Sequence, residues 1–131
     1  MKNKSPDAFL GGRIALFQPR NGYRANTDSI LLAAAVTAKK GQNILELGCG
    51  IGAVLFALMS RVNDLNVVGI ELQKKYARLA VRNAAHNGFK ADILECDITE
   101  IPNTYKRIQY NHVVLNPPFF NSDSPMKSRD F

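Results

Sequence analysis

Residues 43–59, NILELGCGIGAVLFALM, constrain the fold more than any other stretch, because a short strand, a glycine loop and a helix follow one another without interruption. Ile44, Leu45 and Leu47 form an apolar run broken only by Glu46, the pattern of a central parallel strand. Gly48, Gly50 and Gly52 then stand at alternate positions. Without side chains there, the backbone can turn sharply and come close to a ligand, and the free N–H groups of the next helix face the same point. Residues 53–59 are apolar all round, which predicts a helix buried between the sheet and a second layer. The stretch reads as a nucleoside-binding strand, loop and helix.

The dinucleotide fingerprint G-x-G-x-x-G/A is met formally by Gly48, Gly50 and Ala53, which leaves a nicotinamide dehydrogenase open. The fuller pattern is Glu46-x-Gly48-x-Gly50-x-Gly52. It resembles the first motif of class I S-adenosylmethionine-dependent methyltransferases, and the resemblance implies that the Glu46 carboxylate sits beneath the methionine end of that cofactor.

A chain of 131 residues with 46% hydrophobic content is long enough for one domain with its own core. No apolar run approaches the roughly 20 residues of a membrane span, and residues 1–12 lack the apolar segment of a signal peptide. Cys49 and Cys96 have neither metal-ligand spacing nor the density of a secreted scaffold. Reduced thiols and a cytoplasmic location are therefore expected. The net charge of +6 is uneven: up to Lys40 seven basic residues face two acids, whereas the remainder has ten against nine. In that front part Lys2, Lys4, Arg13, Arg20 and Arg24 alternate with Phe9, Phe17 and Tyr23. The mixture suits a phosphate backbone with stacked bases, and equally a solvated basic arm. By charge, residues 1–28 form a basic N-terminal segment and residues 29–131 the core domain.

Taken in order, residues 8–17 suggest a short hairpin turning at Gly11-Gly12. Asn26, Thr27 and Asp28 offer capping oxygens for a helix over 29–38, with Lys39 and Lys40 at its C-terminal dipole and Gly41 as its exit. Because that helix leads into the glycine-loop strand, Thr27 and Asp28 are candidates for the cofactor pocket, although capping alone also explains them. A second strand is expected over 66–71. It ends on Glu71, close to the offset at which an acid holds ribose hydroxyls in such folds. A helix over 73–86 carries Lys74, Arg78 and Arg82 on a solvated stripe and Tyr76, Leu79, Ala80 and Asn83 on another. A third strand over 93–96 closes on Asp97, and a fourth over 112–115 runs into Asn116-Pro117-Pro118-Phe119. Alternation of strands and helices makes the sheet parallel. Glu46, Glu71, Asp97 and Asn116 then converge at its carboxyl edge, where open α/β sheets bind ligands. His86 and His112 lack partners for a triad or a metal site and read as structural.

Asn-Pro-Pro followed by an aromatic resembles the signature of methyltransferases that modify a planar nitrogen. The Asn116 side-chain oxygen and the Pro117 carbonyl can accept two hydrogen bonds from one NH2 group. The prolines stiffen the chain, and Phe119 can stack on a planar substrate for about 1–3 kcal/mol.

The stretches Gln18 to Arg24 and Thr27 to Ala33, together with Asn83-Ala84-Ala85-His86-Asn87-Gly88, look like the bacterial tRNA (adenine-N6)-methyltransferases acting on valine tRNA, a subgroup of the methyltransferase small-domain family. The resemblance implies an α/β fold with a Rossmann-like class I methyltransferase sheet, strand order 3-2-1-4, S-adenosylmethionine as cofactor and tRNA as partner. It makes Asn116, Pro117, Pro118 and Phe119 catalytic. Cofactor binding falls to Thr27, Asp28, Glu46, Gly48, Cys49, Gly50, Gly52, Glu71, Leu72, Asp97, Ile98 and Asn116, with no metal. Related enzymes methylate guanine amines in ribosomal RNA or glutamine in proteins, and a cofactor-binding fragment without activity is the remaining alternative. The family continues with a fifth strand and an antiparallel pair that these residues do not supply. The core therefore reads as incomplete, with its fourth strand an exposed edge open to association, and cofactor binding is expected to outlast efficient methylation.

Overall fold

The computed structural model describes residues 5–22 and 24–117. A parallel sheet forms its centre, built from β3 (Asn43–Leu47), β4 (Asn66–Glu71), β5 (Ala91–Glu95) and β6 (His112–Leu115), in the order β5-β4-β3-β6. This is the expected 3-2-1-4 order. Leu47 pairs with Ile70 on one side and Leu115 on the other, while Glu71 pairs with Glu95. The four strands thus end nearly level. The loops after them, carrying Gly48, Leu72, Asp97 and Asn116, leave from one edge. The third core strand begins earlier than expected and ends at Glu95; Cys96 still holds its N–H on the Glu71 carbonyl at 3.1 Å.

Helix α2 (Ala53–Arg61) is buried continuously from Ala53 to Leu58. It lies under the sheet with Phe56, Leu55 and Leu58 facing Ile44, Ile51 and Ile14 in one core, so an all-apolar helix is what its two-sided environment requires. Helix α1 (Thr27–Ala35) packs on α2 through Ser29 and Ala33, four residues apart on one face. It begins two residues earlier and ends three earlier than the sequence suggests. Asn26 is its cap, accepting from the Ser29 N–H at 3.3 Å, which puts Thr27 and Asp28 in the first turn. Lys39 and Lys40 lie beyond its end. The free carbonyls of Ala33 and Val36 are taken by the Arg61 guanidinium at 2.9 and 2.7 Å, so a cation from α2 does the work expected of the local lysines.

The front segment folds onto this core. Strands β1 (Asp7–Phe9) and β2 (Ile14–Leu16) form an antiparallel hairpin around a helical turn at Leu10–Gly12, and Ile14 and Leu16 are among the most deeply buried side chains. The division at residue 28 is therefore one of charge, not of packing. Helix α3 (Lys74–His86) grips the hairpin through two asparagines. Asn83 accepts from the Phe17 N–H at 2.7 Å and donates to the Phe17 carbonyl at 3.1 Å. One turn later Asn87 treats Ala15 the same way, at 2.9 and 2.8 Å. The side chains act as a substitute strand for β2. Of its described aromatics, Phe9 packs against the core and Phe17 lies between Arg82 and His86, while Arg13, Arg20 and Arg24 are exposed. Tyr23, Lys2 and Lys4 fall outside the described residues.

Helix α4 (Asn103–Lys106) is a single turn leading toward β6. Among the described residues no strand pairs with the outer edge of β6, and Val113 and Leu115 are 60% and 55% exposed.

Candidate functional site

The carboxyl edge of the sheet is organised by hydrogen bonds from the glycine loop to β4. The N–H groups of Gly48 and Cys49 both donate to the Ile70 carbonyl, at 2.8 and 2.9 Å. The Gly50 N–H donates to Glu71 Oε2 at 2.8 Å, and the other carboxylate oxygen accepts from Gln73 N–H at 2.8 Å. Glu71, 7% exposed, is thus the bridge between the loop and the N-terminus of α3. Its expected ribose role is joined by one the sequence did not reveal. A carboxylate has room for more acceptor bonds, so the two roles are compatible.

Gly48, Gly50 and Gly52 all take positive φ, at 72°, 55° and 88°. Gly52 is the most demanding, because a Cβ there would collide with the Phe56 ring. At Gly48 a Cβ would meet nothing within 4 Å, so the loop leaves open space on that side.

Beneath the loop lies Glu46, 2% exposed and one residue from the end of β3. Its Oε2 has no hydrogen-bond partner among the described residues. Burial raises its pKa well above the ordinary carboxyl range and the nearby Glu71 charge adds to the rise, against a backbone hydrogen bond from Leu55 that lowers it. Cys49 is buried beside these two acids; desolvation first, then their charges, push its thiol pKa upward and leave it unreactive.

Asp97 stands at the end of β5 in the open. Its Oδ1 accepts from the Thr99 N–H and hydroxyl, both at 2.8 Å, and the backbone bond followed by the hydroxyl bond lowers its pKa. Leu72 and Ile98, which follow Glu71 and Asp97, are 52% and 54% exposed at this same edge. Asn116 and Pro117 leave β6 one strand from the glycine loop, Asn116 half-buried and Pro117 exposed. Pro118 and Phe119 lie outside the described residues. Thr27 and Asp28 are exposed in the first turn of α1.

From the sequence, Asn83 stands on the second stripe of its helix and in the stretch Asn83 to Gly88 that carries the family resemblance, with no contact assigned to it. In the fold its amide also donates to the Ile51 carbonyl at 3.0 Å, so one fully buried side chain ties the glycine loop to the hairpin. An asparagine recurring on an otherwise apolar helical face was the available signal. A cavity of about 840 Å³ opens at the opposite, amino edge of the sheet, lined by Asn43, Asn66, Asp92, Phe89 and Tyr110 among others. It takes in Asn43 and Met59, the two ends of the glycine-loop stretch, and Gly88, but none of the loop glycines, Glu46, Glu71, Asp97 or Asn116. His86 meets the Phe17 ring edge-on and His112 pairs with Gln42 at 3.0 Å, consistent with structural roles; no cluster of metal-binding side chains occurs among the described residues.

Over residues 23–128 the sequence matches the family described as methyltransferase small domain. A tRNA1(Val) (adenine(37)-N6)-methyltransferase of Pedobacter heparinus is 31% identical over 126 residues, covering 94% of this chain and 50% of the relative. The enzyme of the same description from a Flavobacteriaceae bacterium is 30% identical over 121 residues, covering 91% and 51%. The chain thus spans about half the length of these curated relatives. Among solved structures, a Thermus thermophilus 16S rRNA N2 G1207 methyltransferase in complex with S-adenosylmethionine and guanosine superposes with a TM-score of 0.73 at 23% identity, over 91% of this chain and 34% of that one. A Pyrococcus abyssi tRNA (uracil-54, C5)-methyltransferase gives 0.62 at 21% identity, over 80% and 26%. Both likenesses concern the fold.

Proposed function

The chain belongs to the methyltransferase small-domain family of S-adenosylmethionine-dependent methyltransferases, and from that premise we propose that it serves the methylation of an adenine exocyclic amine in tRNA. Two features of the carboxyl edge fit the cofactor. The orphaned, buried Glu46 oxygen lacks the cationic or N–H partner that a methionine end would bring. Leu72 and Ile98 offer apolar flanks for a purine, with Glu71 and Asp97 beside them. When bound, the cofactor supplies a methyl group on a sulfonium, already activated for transfer.

The chain's own residues then have only to hold and orient. Asn116 Oδ1 and the Pro117 carbonyl accept hydrogen bonds from one exocyclic NH2, turning the nitrogen lone pair toward the methyl group. Such alignment is worth roughly 7–11 kcal/mol, so no strong base is needed. Pro118 and Phe119 complete this arrangement in the proposal, with the ring stacking on the base. The basic segment 1–28 contributes contacts to RNA, and residues 29–131 carry the cofactor and the reacting groups.

The observation that carries the reading is that Asn116-Pro117 leaves β6 directly beside the strand bearing the glycine loop, in a chain about 30% identical to enzymes described as acting on adenine 37 of valine tRNA. Incubation of the protein with labelled S-adenosylmethionine and unfractionated bacterial tRNA, followed by nucleoside mass spectrometry, tests it. N6-methyladenosine is the expected product. Label in N2-methylguanosine, or transfer only to a glutamine of an added release factor, would overturn the adenine assignment.

A further inference from the structure

Helix α3 carries Lys74, Lys75, Arg78 and Arg82 and not one acid, although it lies on the surface of the fold. A merely solvated helix ordinarily intersperses acids three or four residues from its bases, because like charges at that spacing repel. Here Lys74, Arg78 and Arg82 recur every fourth residue, an unrelieved positive stripe about 12 Å long. All three are exposed, and none forms an ion pair with a described residue. Glu95 of β5 shares a shallow groove with Arg78, Ala77, Val81 and Ile93 and still makes no pair with it.

The stripe is continuous with the front segment. The Arg82 guanidinium lies 3.6 Å above the Phe17 ring, and Lys75 Nζ lies 4.6 Å from the centre of Tyr76, whose hydroxyl would be 2.6 Å from a Cβ on Gly22. Exposed Arg20 belongs to the same stretch. At its other end the stripe starts at Lys74, next to Gln73, whose N–H is held by Glu71 at the glycine-loop edge.

We propose that α3 and residues 17–22 form one RNA-binding face, on which phosphates run along Lys74, Arg78 and Arg82 toward the cofactor edge. This rests on the reading of the substrate as RNA. A membrane surface suits the helix poorly: its apolar side, Tyr76, Ala77, Ala80 and Ala84, is buried in the fold, leaving only Val81 among its large aliphatic side chains strongly exposed.

The test is the salt dependence of binding to unfractionated tRNA for three proteins: the wild type, Lys74→Gln with Arg78→Gln, and a control with Lys39→Gln and Lys106→Gln, two exposed cations toward the amino edge of the sheet. Arg82 is left in place because it also packs on Phe17. The α3 double variant should bind about 10-fold or more weakly near 0.1 M salt, with a log K against log salt slope shallower by roughly 1.4–1.8, and the control should match the wild type. S-adenosylmethionine affinity should stay within about twofold in all three. Equal losses in both variants, an unchanged slope in the α3 variant, or tighter α3-dependent binding to phosphatidylserine vesicles than to tRNA would overturn the proposal. Binding that depends on α3 without adenine methylation would uphold this face and overturn the proposed activity; adenine methylation indifferent to Lys74 and Arg78 would do the reverse.

Discussion

Gly50 donates its N–H to the carboxylate of Glu71 at 2.8 Å, across 21 residues of sequence, and so the second strand's terminal acid holds the first strand's loop in shape. The same carboxylate receives Gln73 N–H at the start of α3. The position is a structural bridge as well as the acid proposed to hold the ribose.

Glu71→Ala should consequently do more than remove ribose acceptors. Hydrogen bonds to a charged group contribute about 1.5–3 kcal/mol each, and losing two leaves the Gly50 and Gln73 donors without their partner. Cofactor affinity measured by calorimetry is expected to fall at least 10-fold and the melting temperature by several degrees. Glu71→Gln keeps an oxygen for only one of the two donors and should fall between. Full affinity and stability in Glu71→Ala would contradict the bridge.

Glu46 makes stability depend on pH. Its folded-state pKa is raised, chiefly by burial, so the folded chain favours the protonated form. The contribution is complete below the unfolded carboxyl range and is lost as pH rises through the folded value. Glu46→Gln, a neutral isostere, should flatten the decline in stability toward alkaline pH, by at most about 1.4 kcal/mol per pH unit for one proton. Denaturant melts at several pH values would show it. By the same linkage a cationic ligand end binds the ionised carboxylate better, so wild-type cofactor affinity should rise with pH; parallel pH profiles for wild type and Glu46→Gln would count against this.

Asn83 and Asn87 offer an internal comparison. Asn87 clamps β2 at Ala15 and Asn83 clamps Phe17 just past its end, and each substitution by alanine should destabilise the fold by about 2–4 kcal/mol, since partly buried backbone donors and acceptors are left unpaired. Only Asn83 also reaches Ile51 in the glycine loop. Asn83→Ala should therefore weaken cofactor binding beyond Asn87→Ala at equal stability. Equal affinities in the two variants would limit Asn83 to holding the hairpin.

Asn116→Ala should lower the methyl-transfer rate about 100-fold or more, with cofactor affinity within twofold of wild type, because in the proposed arrangement its acceptor serves the substrate amine. Calorimetry beside single-turnover transfer separates the two. A parallel loss in both would move Asn116 into the cofactor site.

Much of this was readable in the chain. The glycine loop, the acid at the end of β4 and the alternation of strands and helices are local patterns, and backbone sterics and periodicity express them whatever the rest of the molecule does. They sufficed for a parallel sheet and for the carboxyl edge that carries Gly48, Glu71, Asp97 and Asn116, while the strand order came from the family resemblance. The end of α1 was misread because its carbonyls are capped by Arg61, 25 and 28 residues away. The front aromatics looked available for bases, yet Phe9 and Phe17 are spent on packing. Only the tertiary structure could decide that Glu71 latches Gly50, that Asn83 joins the loop to the hairpin, and that Glu46 is buried with one oxygen unpartnered among the described residues. Hydrogen-bond partners and desolvation depend on what lies across space, and a one-dimensional pattern records which groups are present without recording what surrounds them.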